Sequence, residues 1–220
     1  PEAHRTRSGD TQITMLMDNN YYGWNTMDAL SNYYTDYDLN EAYTNWDHNN
    51  LSEAIENADL VLVPYGHWMN DYYDGNAMRD VLASYVENGG GILFTGKNNE
   101  EYGGLFQNSF DYTEDCCGYA FSENDYDADH PIMEGLDGQM DVYRFYTSYL
   151  PNDNDVEVVF NLGWWGYEYS HTIFSKVHGS GRVTVLGFDF NNWYDDEALM
   201  LSNAVQYTAG SGGFGIDVTS

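Results

Sequence analysis

Cationic side chains are what this chain has least of. Lys and Arg supply 7 of its 220 residues against 36 Asp and Glu, a formal net charge of -29. A surface of that sign repels anionic polymers and anionic bilayers over most of its area, so nucleic acid is excluded as a partner. Cysteine is almost as scarce. Cys116 and Cys117 are adjacent, which rules out an ordinary intrachain disulfide framework and leaves stability to packing. Free thiols, a vicinal disulfide and bonds to another subunit all stay open. No apolar run approaches the roughly 20 residues that a helix needs to cross a bilayer, so no membrane insertion is expected. The opening Pro1-Glu2-Ala3-His4-Arg5-Thr6-Arg7 lacks the apolar core of a signal peptide, and a soluble chain is expected. The histidines at 4, 48, 67, 130, 171 and 178 have no metal-ligand spacing of the His-x-x-x-His kind.

What is present is enough for a folded domain. At 42% hydrophobic residues, 220 positions suit one α/β unit with a sizeable core. The acidic excess has two readings, solvation in high salt or oxygen ligands for a hard cation such as calcium, and both fit an extracellular or cell-surface setting. The 21 tyrosines, with many asparagines, are typical of contact surfaces, where a rigid ring supplies area and the amide adapts its hydrogen bonds.

The chain is organised around Gly89-Gly90-Gly91-Ile92-Leu93-Phe94-Thr95-Gly96. A helical pattern over Ala77–Asn88 stops at the glycines, a buried strand follows, and Gly96 opens a sharp exit onto Lys97-Asn98-Asn99. Upstream, residues 1–10, which hold two of the seven basic residues, read as a flexible arm or linker, and Ile13–Met17 as a first strand. Thr26–Tyr34 reads as a helix capped by Asn25, and Ala42–Trp46 as a weaker strand. Leu51–Asn57 reads as a helix with Asn50 as cap and Glu53 three residues on; Leu60–Val63 is the clearest buried strand. Strands separated by helices predict a parallel, right-handed, doubly wound sheet. Residues 100 to 130 break this rhythm and predict an irregular insertion. Val142–Tyr149, Val156–Leu162, Thr172–Val177 and Arg182–Phe188 read as strands, the last two joined by the hairpin turn His178-Gly179-Ser180-Gly181. Glu197–Tyr207 closes the domain as a helix, and residues 211–220 form a tail suited to edge pairing.

Three segments carry a family likeness. His130-Pro131-Ile132-Met133-Glu134-Gly135-Leu136 with Asp141-Val142-Tyr143, then Gly181–Asp189 with the helix ending Ala204-Val205-Gln206-Tyr207-Thr208-Ala209-Gly210, and the triple glycine with its strand together resemble the trehalose-utilisation (ThuA-like) branch of the class I glutamine-amidotransferase-like superfamily. The resemblance spans most of residues 11–210 and implies a flavodoxin-like three-layer α/β sandwich with a mainly parallel central sheet. Enzymes of that superfamily place a cysteine on the turn after the strand that Ile92–Thr95 matches, because a tight strand-to-helix turn exposes a nucleophile beside backbone N–H donors. Here the turn has none, and Cys116 and Cys117 fall in the presumed insertion.

In such a sheet ligands bind at the carboxyl ends of the strands. Four exits should converge there: Asp18-Asn19-Asn20, His67-Trp68, Lys97-Asn98-Asn99, and Asp189 with Asn191 and Trp193. Indole rings for stacking and amides for hydroxyls suit a polar ligand such as a sugar. Asp125, Asp127 and Asp129 alternate as in calcium loops, but the EF-hand glycine and glutamate are missing, so a looser calcium site, with Asp153 and Asp155, is the expectation. Asn50-Leu51-Ser52 is a glycosylation sequon. His130 before Pro131 reads as a turn residue with a structural hydrogen bond, and His67 as the histidine to test first for catalysis. The absent nucleophile points to a non-catalytic structural or assembly module of an extracellular surface protein or filament, associating with itself or with neighbouring domains. A carbohydrate-binding module is the alternative, and a cryptic hydrolase built on His67 or His130 the third.

Overall fold

Leu60-Val61-Leu62-Val63 offers no polar face, and such a strand is stable only in a sheet covered on both sides. The structure, a computed structural model, describes residues 11–18, 20–65, 75–96, 110–113, 119–121, 126–136, 140–142, 147–150, 155–164 and 167–210. In it this segment is β3 (Leu60–Val63), fully buried. It pairs in parallel with β1 (Thr11–Leu16) on one side and β4 (Gly91–Thr95) on the other. β2 (Tyr37–Ala42) and β11 (Gly181–Leu186) complete five parallel strands in the order β2-β1-β3-β4-β11.

The side-chain alternation of these strands makes the layers. Leu60, Leu62 and Leu93 join one core with α1 (Asn20–Ser31) and α4 (Asp195–Ala209), while Val61, Val63, Ile92 and Phe94 join a second with α2 (His48–Ile55) and α3 (Gly75–Glu87). Successive residues of a strand point to opposite faces, so each face is apolar and each needs its own helical layer. The outcome is the expected three-layer α/β sandwich.

Beyond β11 the sheet turns antiparallel through β10 (Tyr167–His178), β8 (Thr147–Leu150) and β5 (Phe110–Thr113), with β9 (Glu157–Trp164) also on β10, nine strands among the described residues. The hairpin turn stands where expected, with Gly179 at φ 61 and His178 opposite Gly181. The glycine triplet has its reason here. A Cβ on Gly181 would lie 2.2 Å from the carbonyl oxygen of Gly90, so hairpin and helix exit meet backbone to backbone.

Several boundaries differ from the sequence expectation, each for a local reason. The first helix begins at Asn20, six residues before Thr26. Thr26 is interior, its hydroxyl donating to the Tyr22 carbonyl at 2.8 Å, so Asn25 is no cap. The second strand is Tyr37–Ala42, because Asn45 and Trp46 take left-handed φ values of 52 and 57 that end extended structure. Asp47, not Asn50, caps α2, accepting from the amides of Asn49 and Asn50 at 2.9 and 3.1 Å. Val142–Tyr149 is not one strand: β7 (Met140–Val142) pairs with β6 (Tyr119–Phe121) in a separate small sheet, whereas β8 enters the main one. The stretch from 100 to 130 is thus not irregular throughout, since it supplies β5 and β6. The arm, the tail and both cysteines lie outside the described residues.

Candidate functional site

At the carboxyl end of β1, Asp18 uses both carboxylate oxygens within the fold, accepting from the Thr44 hydroxyl at 2.8 Å and the Asn45 amide at 2.7 Å. That clamp fixes the left-handed turn after β2. At the end of β11, Asp189 is buried and accepts from the Asn191 amide at 3.0 Å, closing a turn whose central Phe190 has φ 54. The turn presents the Asn191 side chain to α1, where its Oδ1 accepts from the Tyr21 hydroxyl at 2.7 Å and the Asn25 amide at 3.4 Å. Two of the four expected exits are therefore tied together through α1, with Tyr21 and Asn25 as the link.

Those two residues, and Trp24 beside them, were not singled out in the sequence because the helix was started too late. With Asn20 as the first residue, Tyr21, Trp24 and Asn25 stand at i, i+3 and i+4 on one face. Tyr21 is 55% and Trp24 51% exposed. Trp193 is half-buried against the core, and Tyr194 is exposed. Tyr21 meets Tyr22 edge-on at 5.2 Å, and Tyr22 meets Tyr65 edge-on at 4.6 Å, so the aromatic contact runs from the surface to the end of β3.

Tyr65 is what closes the end of β4. Gly96, the first residue beyond that strand, has φ 65, and its amide donates to the Leu186 carbonyl at 2.8 Å. A Cβ built on Gly96 would lie 2.7 Å from Cδ2 of the Tyr65 ring, inside van der Waals contact. Tyr65 is held in turn by its amide, which donates to the buried Thr95 hydroxyl at 3.1 Å. Gly96, the first residue of the turn, therefore has no room for a side chain beside Tyr65.

Of the remaining sequence candidates, Asn19, His67, Trp68, Lys97, Asn98, Asn99, Asp125 and Asp153 lie outside the described residues, and Asn20 is described by its backbone alone. Asp127 accepts from the amide of Asp129 at 3.2 Å in a local turn, and Asp155 faces Lys176 at 3.5 Å. Among the described residues no three His, Cys, Asp or Glu side chains gather as a metal site. Asn50 donates its side-chain nitrogen, the glycosylation acceptor, to the Thr44 carbonyl at 2.9 Å, so a glycan there would displace that bond.

A second polar cluster sits near the opposite end of the parallel strands, where Arg182 pairs with Gly91. His130 Nδ1 accepts from the Ile132 amide at 3.1 Å, the expected structural bond, which puts the proton of the neutral ring on Nε2. Nε2 faces Glu157 Oε1 at 3.4 Å, out of line for a hydrogen bond. The other Glu157 oxygen accepts from Tyr207 and, at 3.1 Å, from Ser175. Arg182 lies 3.9 Å over the Tyr207 ring. Serine and histidine both address the glutamate and not each other, so no nucleophile–base pair exists here.

Burial lowers His130, against the opposing pull of Glu157 and Asp127. Burial acts to raise Glu157, yet the bond from Tyr207, the charge of His130, the bond from Ser175 and the charge of Arg182 together bring it below its ordinary value. Burial and the bond to Glu157 push Tyr207 up to about 12 from 10.0. A group whose folded pKa is raised contributes stability that is complete below the unfolded pKa and fades as pH rises through the folded one. The melting-temperature advantage of wild type over Tyr207→Phe is therefore predicted to hold up to pH 10 and to shrink between 10 and about 12. An advantage unchanged across that interval contradicts the assignment. His130 and Glu157 act in the other direction: acid removes stability first below 6.5 and then below 4.5, because the unfolded chain takes up protons that the folded one refuses.

No protein-family profile and no curated protein matches the sequence. Solved structures do match. A ThuA-like protein from Bacteroides uniformis superposes with a TM-score of 0.60 at 13% identity, over 94% of this chain and 95% of that one. A glutamine amidotransferase from Thermotoga maritima gives 0.54 at 9%, over 92% and 99%. The fold is that of the class I glutamine-amidotransferase-like proteins. The same amidotransferase-like fold also matches a β-galactosidase from Rahnella sp. R3, with a TM-score of 0.56 at 10% identity, over 90% of this chain but only 31% of the enzyme.

Proposed function

We propose that this chain is a non-catalytic structural or assembly module of an extracellular surface protein or filament. The observation that carries the reading is the Gly96 exit, which has neither a nucleophile nor space for one beside Tyr65. An amidotransferase-like scaffold without that group keeps only its surface to work with. The β-galactosidase match, at under a third of the enzyme, supports the use of this fold as one part of a larger polypeptide. β2 supports the assembly half: it ends the order of the sheet, and no described strand pairs with its outer side. An open edge of this kind accepts strand addition, and Arg5 and Arg7 of the arm have acidic charge to meet on a second copy.

Removing residues 1–10 and 211–220 is predicted to shift the particle size, read by light scattering and negative-stain microscopy, from a large species to a monomer. A native monomer before deletion, or an assembly intact after both deletions, defeats the proposal. Carbohydrate binding is the second reading, favoured by the Tyr21–Asn191–Asn25 contact between two strand exits and by the exposed rings around it.

A further inference from the structure

We infer that Tyr21, Trp24 and Asn25 of α1, with Asn191 and Tyr194 of the turn before α4, form a binding surface for a neutral hexose polymer. The inference rests on the carbohydrate reading and gives it a place and a ligand class. Both parts follow from the side chains and their contacts.

Tyr21 and Trp24 stand one turn apart and are each more than half exposed, on a helix that packs against α4. Large rings this exposed on one helix face mark an interaction surface. The amides beside them are preorganised. Asn191 Oδ1 receives the Tyr21 hydroxyl at 2.7 Å and the Asn25 amide at 3.4 Å, so its orientation is set and its own nitrogen is turned away from both donors. Rings fixed by such bonds lose little entropy on binding. A pyranose offers what this surface matches: an apolar face of C–H groups to lie on an aromatic ring, and rim hydroxyls that both donate to and accept from amides.

Charge narrows the class. The carboxylates on these segments are Asp28 on α1, Asp189 in the turn, and Asp195, Asp196 and Glu197 at the start of α4, and the segments 20–31 and 189–197 contain no Lys or Arg. On these described segments uronic, sialic or sulfated chains would meet carboxylates and no cation, whereas a neutral chain has hydroxyl donors for the carboxylates.

Affinity electrophoresis with soluble galactan, glucan, mannan and polygalacturonate tests this. Wild type is expected to be retarded by at least one of the three neutral polymers and not by polygalacturonate. Trp24→Ala and Tyr21→Ala are each expected to weaken that retardation about tenfold or more, as loss of a central aromatic anchor does. Both side chains are largely exposed, and unchanged melting temperatures will show that the variants are folded. Retardation that survives both substitutions and is lost in Trp68→Ala overturns this site while leaving the carbohydrate reading in place. No retardation by any neutral polymer overturns both. Disruption of self-association by Trp24→Ala without change in glycan binding assigns the patch to a protein interface and overturns the inference.

Discussion

Placing a cysteine at position 96 is expected to destabilise the protein by about 2–5 kcal/mol, and not to create an amidotransferase. Two costs add. An L-residue held in the left-handed region gives up about 1–2 kcal/mol, and forcing atoms into a packed site costs about 1–3 kcal/mol more. Gly96 meets both conditions, with φ 65 and the Tyr65 ring 2.7 Å from a built Cβ. Out of a total stability of about 5–15 kcal/mol, such a loss is easily read as a drop in urea midpoint. The two costs can be separated. In a Tyr65→Gly background the ring and the Cβ that a residue-96 side chain would strike, at 2.7 and 2.8 Å, are both gone and the backbone term remains, so Gly96→Cys should cost about 1–3 kcal/mol less there than in wild type. Equal costs in the two backgrounds would show that Tyr65 does not close the exit.

The second large effect concerns the turn that holds Asn191. Phe190 is buried among core side chains, edge-on to Phe188 at 6.4 Å, yet its φ is 54. A bulky residue in that region is strained, and the burial of its ring is what sustains it. Phe190→Ala removes the ring and keeps the strain, with an expected cost of about 3–5 kcal/mol. Phe190→Gly removes both, so it should be the milder change by about 1 kcal/mol, the reverse of the usual order of alanine and glycine. Denaturant unfolding of the pair decides it. An alanine variant more stable than the glycine variant would mean that the turn relaxes out of the left-handed region. Both variants should also loosen Asn191 from Tyr21, and with it the surface inferred to bind glycans.

How much of this was legible beforehand depended on the range of the forces involved. β1, β3, β4, α3 and the β10–β11 hairpin read well because unbroken apolar runs and glycines signal locally. The doubly wound parallel sheet followed from strands alternating with helices, and the three-layer class from the family resemblance. β2 was misplaced because its residues Tyr37 to Glu41, half-buried or exposed, carry no apolar run, and a carboxylate two residues beyond β1, Asp18, decides where it ends. β5 and β6 were missed for the same reason, as their partners β8 and β7 are distant in sequence. At the site, the lack of cysteine in the turn was readable, but the ring packed against Gly96 was not: Tyr65 lies 31 positions before Gly96, and only the adjacency of β3 and β4 brings them together. Tyr21, Trp24 and Asn25 had a readable signal, the i, i+3, i+4 spacing, hidden by the late start assigned to α1. Glu157, Ser175 and Tyr207 had none, since β9, β10 and α4 meet only in the folded chain.

Ammonia release from L-glutamine measures most directly whether the Gly96 exit is closed to amidotransferase chemistry. Purified wild type and Gly96→Cys are both predicted to release none above the buffer rate. Sustained release by wild type, lost on Cys116→Ser with Cys117→Ser, would contradict the non-catalytic reading by showing a working nucleophile elsewhere in the chain.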